Sequence, residues 1–256
     1  MLKNKKGIVF GIANDHSIAW GIAKKLNENG AELAITYQNE SLLKRVEPLA
    51  KKLNSDLLLE CDFNKEGSLE NTIRQITTKW DSVDFIVHAV AFSDKNELNG
   101  RYVETTKQNF INSLNISCYS FTKIAKLTQP FMKSGGSLIT LSFYGSSKVM
   151  PNYNVMGVAK AALETSVKYL SVDLGSQNIR VNAISAGPMR TLAGAAIANA
   201  RDVYKFTEVN SSLKRNVLLE ELGNSALYLV SDLSSAVTGE IHYVDCGFNI
   251  VGMPKD

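Results

Sequence analysis

Short apolar runs alternate with longer amphipathic runs from one end of this chain to the other, and that alternation limits the fold more than any other feature. Apolar runs at 7–10, 31–37, 57–61, 83–89, 137–142, 180–184 and 240–245 predict strands. Helical spacing occupies 17–29, 41–53, 69–80, 106–132, 153–174 and 219–231, with Gly30 suited to end the first helix. Residues 92–103 read as a long loop, and 185–207, rich in Ala and Gly, as irregular. Strand-helix-strand alternation of this kind requires parallel pairing with right-handed crossovers. The expected class is α/β: a Rossmann-like doubly wound parallel seven-stranded sheet with helices on both faces. No linker, repeat or low-complexity tract interrupts it, so 1–256 reads as one dinucleotide-binding domain.

Composition excludes several functions. A hydrophobic content of 45% and a charged content of 21% are ordinary for a soluble globular enzyme. The net charge of +3, with no basic tract, argues against a nucleic-acid partner. The first apolar run is too short for a membrane span or a signal peptide. Cys61, Cys118 and Cys246 are odd in number and far apart, which suits a reducing compartment and a cytoplasmic protein. The three histidines form no metal-ligand pattern, so no metal is expected.

Ligands of such sheets bind beyond the carboxyl ends of the strands. After the first strand, Gly11 permits a tight turn, and Ser17 and Ile18 open a helix whose first amides can face a pyrophosphate once Ser17 caps it. Ala19 and Gly21 are small, as close helix-strand packing requires. After the second strand, the neutral Gln38 stands where a basic residue would favour a 2′-phosphate, which tilts the cofactor towards NADH over NADPH. Asp62 is placed either to take an adenine amino group or to cap the following helix, and Phe63 offers a ring face. Ala89, Val90 and Ala91 are small enough to let the backbone pass along a cofactor. After the sixth strand Gly187-Pro188 forces a turn, and Thr191 is placed to bond a nicotinamide carboxamide. The segment at about 190–210 reads as a substrate lid or as surface loop.

Tyr153 and Lys160, seven residues apart, share one face of a helix and stand about 10 Å apart along its axis. A phenol at the helix mouth can donate to a carbonyl oxygen. A lysine deeper on the same side can hold a diol and supply positive charge beneath the phenol. That pair suits oxyanion stabilisation while a hydride reaches a neighbouring carbon.

The glycine loop G-x5-S-x-A-x-G, the Tyr153-x6-Lys160 pair within PNYNVMGVAK, and the run RVNAISAGPMRTLA together resemble the bacterial enoyl-[acyl carrier protein] reductases of the short-chain dehydrogenase/reductase superfamily. The resemblance extends through HYVDCGFNIVGM. It implies NADH-dependent reduction of trans-2-enoyl thioesters, carried on acyl carrier protein, in fatty acid biosynthesis. Ketone-reducing members of the superfamily carry a three-residue gap between Tyr and Lys, so the six-residue gap opposes that activity. Retention of both residues opposes a dinucleotide sensor with lost catalysis. By resemblance Tyr153 stabilises the enolate and Lys160 binds the nicotinamide ribose. Met156 walls the acyl pocket unless it is ordinary core. Arg201 and Lys205 are candidates for contact with an acidic carrier, and family members are usually homotetramers. The chain departs from the family at Phe143, where a second tyrosine is common, with Tyr144 adjacent. It departs again at Ala91, where glycine is usual; the added methyl implies weaker binding of diphenyl ether inhibitors.

Overall fold

The structure, a computed structural model, describes residues 1–195 and 197–253. Seven strands form one sheet: β1 (Lys6–Phe10), β2 (Glu32–Tyr37), β3 (Leu57–Glu60), β4 (Phe85–His88), β5 (Gly136–Ser142), β6 (Ile179–Ala186) and β7 (Ile241–Val244). Their order is β3-β2-β1-β4-β5-β6-β7, and each neighbouring pair is parallel. The doubly wound parallel class expected from the alternation is borne out. The order reverses between β1 and β4, with Phe10 in register with His88, so a crevice opens beyond their carboxyl ends.

Both faces are covered, which explains why the strands read as continuous apolar runs. On one face α1 (Ile18–Glu28), α2 (Glu40–Lys52) and α10 (Leu219–Val230) bury Ile22, Leu26, Val46, Leu222 and Ala226 against Val9, Ile35 and Ile139. On the other, α3 (Ser68–Lys79), α6 (Ser120–Thr128) and α7 (Asn154–Gly175) bury Ile73, Ile76, Phe121, Leu163 and Val167 against Ile8, Phe10, Ile86 and Val181.

Three stretches differ from the sequence-based expectation. The loop at 92–103 contains a short helix, α4 (Lys95–Leu98), capped by the Asp94 carboxylate on the Asn96 amide, and a 3-10 turn begins at Tyr102. The helix expected over 106–132 is broken. α5 (Lys107–Leu114) passes into a π-helical turn at Asn115–Tyr119 before α6, and a 3-10 turn holding Pro130 ends the run. Proline lacks an amide donor and cannot continue the ladder. The segment expected to be irregular folds as α8 (Leu192–Ala195) and α9 (Ala200–Asn210). Its alanines are strong helix formers, and this outweighs the weak apolar periodicity.

The small residue Gly21 serves helix-helix rather than helix-strand contact. α1 and α10 cross backbone to backbone: a Cβ added at Gly223 would lie 2.9 Å from the Gly21 carbonyl oxygen, and one at Gly21 would lie 3.0 Å from Leu219. Gly223→Val should therefore overpack this crossing and cost about 1–3 kcal/mol. The expected result is a thermal midpoint lowered by about 5 °C. An unchanged midpoint would show that the helices separate freely.

Candidate active site

The crevice at the switch point is built by backbone approach. Gly11, just past β1, has φ +101°, and a Cβ there would run into the carbonyl oxygen of Ala89 past β4. Glycine is thus required twice, for its torsion and for contact. Ser17 occupies the N-cap position of α1 but does not cap it as expected. Its hydroxyl oxygen accepts the amides of Ala13 (3.0 Å) and Asn14 (3.1 Å), which folds the loop instead. The first amides of α1, those of Ile18 and Ala19, therefore have no side-chain cap, as an anion site requires.

The ends of β2 and β3 meet through their side chains. The Gln38 side-chain amide donates to Asp62 Oδ1 at 3.4 Å. Asp62 also accepts the Asn64 amide at 3.0 Å, and it does not cap α3, whose N-cap is Gly67. The capping alternative is therefore removed. Phe63 is half-buried, its ring edge-on to His88 at 6.5 Å and tilted against Phe10 at 6.0 Å. Thr191 accepts the Gly194 amide on its hydroxyl oxygen at 2.9 Å, a local bond that leaves the hydroxyl proton free to donate.

Tyr153 is the N-cap residue of α7, one step outside the first turn. Asn152 and Asn154, on either side of it, both have positive φ. Asparagine tolerates that region better than most residues. The Asn152 amide reaches across to the Ala198 carbonyl at 3.0 Å, and the Asn154 amide to the carbonyls of Glu97 (3.4 Å) and Gly100 (3.3 Å). The structure brings together the three residues expected at the substrate. Tyr153 is 8% exposed, its ring edge-on to Phe143 with centroids 5.0 Å apart, in one apolar cluster with Met156. Leu98, Val155, Phe110, Leu114, Met150 and Ile197 complete the cluster. Tyr144 turns away and packs its ring against Phe248 at 5.7 Å, so it does not replace the missing second tyrosine hydroxyl.

Lys160 is 5% exposed, and its ammonium donates to the Leu141 carbonyl at 2.7 Å. Two of its three donors remain. Burial pushes it down to about 8, with Cys118 and Glu164 acting in the opposite direction. Burial raises the Tyr153 phenol above its usual value, and Glu164 adds to the effect, so the phenol stays protonated at neutral pH and can donate.

Sequence reading missed His88. It is fully buried, with Nδ1 2.7 Å from the Thr140 hydroxyl and Nε2 2.9 Å from the Ser120 hydroxyl. Ser120 has the Ile116 carbonyl as acceptor at 2.6 Å, and the Thr140 hydroxyl lies nearer to Nδ1 (2.7 Å) than to the His88 carbonyl (3.3 Å), a pattern that suits Nε2 as donor and Nδ1 as acceptor. Burial, then the Lys160 charge, holds it down to about 3, hence neutral. The only signal was a polar residue ending the apolar run FIVH. Ser117, in the π-helical turn, accepts the Phe92 amide at 3.0 Å and fixes the loop that begins with the exposed Ala91. Among the described residues no cluster of His, Cys, Asp and Glu could hold a metal. No helix among them is long and apolar enough to cross a membrane.

A family profile described as Enoyl-(Acyl carrier protein) reductase matches residues 11–249. The chain is 58% identical over 254 residues to enoyl-[acyl-carrier-protein] reductase [NADH] 2 of Rhizobium meliloti, covering 99% of this chain and 95% of that protein. It is 53% identical to the FabI enoyl-[acyl-carrier-protein] reductase [NADH] of Rickettsia typhi, covering 100% of this chain and 98% of that protein. The crystal structure of FabI from Candidatus Liberibacter asiaticus superposes with a TM-score of 0.97 at 55% identity, covering 99% of this chain and 98% of that one. An Anaplasma phagocytophilum enoyl-(acyl-carrier-protein) reductase in complex with NAD superposes at 0.96 and 55% identity, covering 100% and 97%.

The buried ammonium has a consequence for stability. With its value near 8 in the fold and 10.5 when unperturbed, the unfolded chain binds more protons between those pH values. The charge therefore opposes folding below pH 8, and the penalty is relieved as pH rises towards 10.5. Lys160→Met should stabilise the protein at pH 7 by about 1–3 kcal/mol, with the gain shrinking as pH rises through that window. Urea denaturation at several pH values measures it, and equal stability of parent and variant throughout would refute it.

Proposed function

The chain belongs to the enoyl-[acyl carrier protein] reductase family and is an NADH-dependent enoyl-[acyl-carrier-protein] reductase of fatty acid biosynthesis, and on that premise we propose how its own residues carry the reaction. The observation that carries the proposal is Tyr153, a buried, protonated phenol set among Phe143 and Met156, with the Lys160 ammonium two turns further along the same helix. When bound, the dinucleotide supplies the hydride that reaches the β-carbon of the trans-2-enoyl thioester. Tyr153 donates a hydrogen bond to the thioester oxygen as negative charge collects there, and a proton then reaches the α-carbon. In a site stripped of water that bond is stronger in the transition state than in the ground state.

Residues that fit the dinucleotide line the crevice. Gly11 and Ala89 approach so closely that no side chain separates a pyrophosphate from the backbone, and the amides of Ile18 and Ala19, which donate to no acceptor among the described residues, would face its charge. Gln38 and Asp62, already joined, would meet the adenosine, with Phe63 beside the ring. Gln38 carries no charge for a 2′-phosphate, in keeping with NADH. The two spare donors of Lys160 would take the nicotinamide ribose hydroxyls, and the Thr191 hydroxyl the carboxamide.

Phe143 and Met156 would wall the acyl chain, under a lid at about 190–210. Ile197 packs on the Tyr153 cluster from that segment; Ala196, within it, lies outside the described residues. Arg201 and Lys205, both exposed on α9, would meet the acidic carrier protein that brings the substrate. Ile250 and Met253 are 74% and 84% exposed, apolar surface that assembly into a homotetramer would cover. A cytoplasmic location fits the three free cysteines.

Oxidation of NADH and of NADPH, followed with crotonyl and dodecenoyl thioesters, tests the reading. NADH should be consumed in preference to NADPH. Tyr153→Phe should lower kcat by about 10²-fold while NADH binding persists. Reduction of an acetoacetyl thioester instead would assign the chain to ketone chemistry, and an undiminished Tyr153→Phe rate would remove the phenol from the mechanism.

A further inference from the structure

Glu164 takes no part in the reaction as derived above, yet the segment facing Tyr153 hangs from it. It lies on α7 one turn beyond Lys160 and is half-buried. A single carboxylate oxygen, Oε1, accepts the hydroxyls of both Ser142 and Ser146, the latter at 2.6 Å. Those serines bracket Phe143, Tyr144 and Gly145. The Phe143 ring lies against Tyr153 at 5.0 Å between centroids. Gly145 presses so closely on the phenol that a Cβ there would overlap Tyr153 Cδ1, and one on Gly157 of α7 would stand 2.7 Å from the Gly145 carbonyl oxygen. The bracket is thus pinned at both ends to one carboxylate and touches the phenol ring in between. A carboxylate is the acceptor suited to two hydroxyls, because charge-assisted bonds are roughly twice as strong as neutral ones.

We propose that Glu164 is a positioning residue for enoyl reduction, its carboxylate holding residues 142–146 so that Phe143 and Gly145 fix the ring of Tyr153 in its productive orientation. The proposal rests on Tyr153 being the phenol that meets the substrate oxygen. In this role Glu164 acts through the aromatic contact; its charge also acts on Tyr153 and Lys160, and the glutamine variant separates the two effects. Its two serine partners face it from β5 and from the turn after it, so removal leaves both hydroxyls without their acceptor.

The test is a double-mutant cycle with steady-state kinetics on a dodecenoyl thioester and NADH affinity by fluorescence titration. Glu164→Ala should lower kcat about tenfold or more, since small misplacements of a catalytic group are costly, with NADH affinity changed by less than about twofold. Glu164→Gln keeps an acceptor oxygen and should stay within about threefold of the parent. In the Tyr153→Phe background, Glu164→Ala should slow the reaction no further, because coupled residues are non-additive. Should Glu164→Ala not fold, the Ser142→Ala/Ser146→Ala pair reads the same contacts and should show the same kcat loss and the same non-additivity. A parental kcat in Glu164→Ala, failure of glutamine to rescue, or an equal loss in the Tyr153→Phe background would each overturn the proposal. If Tyr153→Phe alone keeps the parental rate, the underlying reading of the phenol falls, and this proposal with it.

Discussion

The hydrogen bond from the Lys160 ammonium to the Leu141 carbonyl sets the site. It ties a buried cation on α7 to the carboxyl end of β5. With α7 in place, Tyr153 stands at the mouth of the helix, Met156 and Val155 face the apolar cluster, and Leu163, Val167 and Leu170 fill the core beneath. Burying an ammonium is costly, and a fold selected for stability alone would place an apolar residue there. Its presence is the physical trace of a task that needs positive charge in a dry place. His88, held neutral one strand away on β4, lets that charge persist without a second cation beside it.

The two faces of the sheet divide the labour. On one, α1 and α10 meet through Gly21 and Gly223, an approach that leaves the helix no freedom to slide. On the other, α7 with its N-cap carries Tyr153 and Lys160, the residues proposed for the chemistry. Between them lies the contact of Gly11 with Ala89, where strand order reverses and only backbone intervenes. A crevice so formed is shaped by main chain, which cannot swing out of the way. The wall around Tyr153 is built differently: it comes from α4, α5, the turn after β5 and the segment holding Ile197, elements held by side-chain bonds from Asn152, Asn154, Glu97 and Glu164.

The strands and the long helices were legible because a parallel sheet covered on both faces has apolar strands and striped helices, and both periods appear in the residues. Tyr153 and Met156 were legible as neighbours because one helix carries them at i and i+3; Phe143 came only through the family resemblance. What could not be read depended on groups far apart in sequence. The π-helical turn serves a bond from Phe92 to Ser117 that no local pattern encodes. Ser17 looked like a helix cap, yet its hydroxyl is drawn to the loop amides that precede it. Leu98, Phe110, Leu114 and Ile197 are ordinary apolar residues until the fold gathers them around the phenol. Glu164 reads as a helix surface charge until Ser142 and Ser146 are seen to converge on it.

Phenylalanine at 143 changes what the neighbouring position can do. A tyrosine there could have shared a hydrogen bond with the substrate; a phenyl ring can only pack. Its edge-to-face contact with Tyr153 is worth about 0.5–1.5 kcal/mol beyond the area it buries, and it competes for no proton. The phenol of Tyr153 is thus oriented by an apolar neighbour, and its hydroxyl has no polar group on the preceding turn to draw it away from an incoming carbonyl. Tyr144 cannot supply that hydroxyl, because its ring packs edge-on to Phe248, which in turn meets Phe206 of α9 at 6.1 Å. That aromatic series joins the turn after β5, the C-terminal segment and the helix over the substrate cluster. Under the proposed role of Tyr153, the departure at Phe143 replaces a shared polar contact with a packed one: orientation comes from shape, and the buried phenol would keep its donor capacity for the substrate.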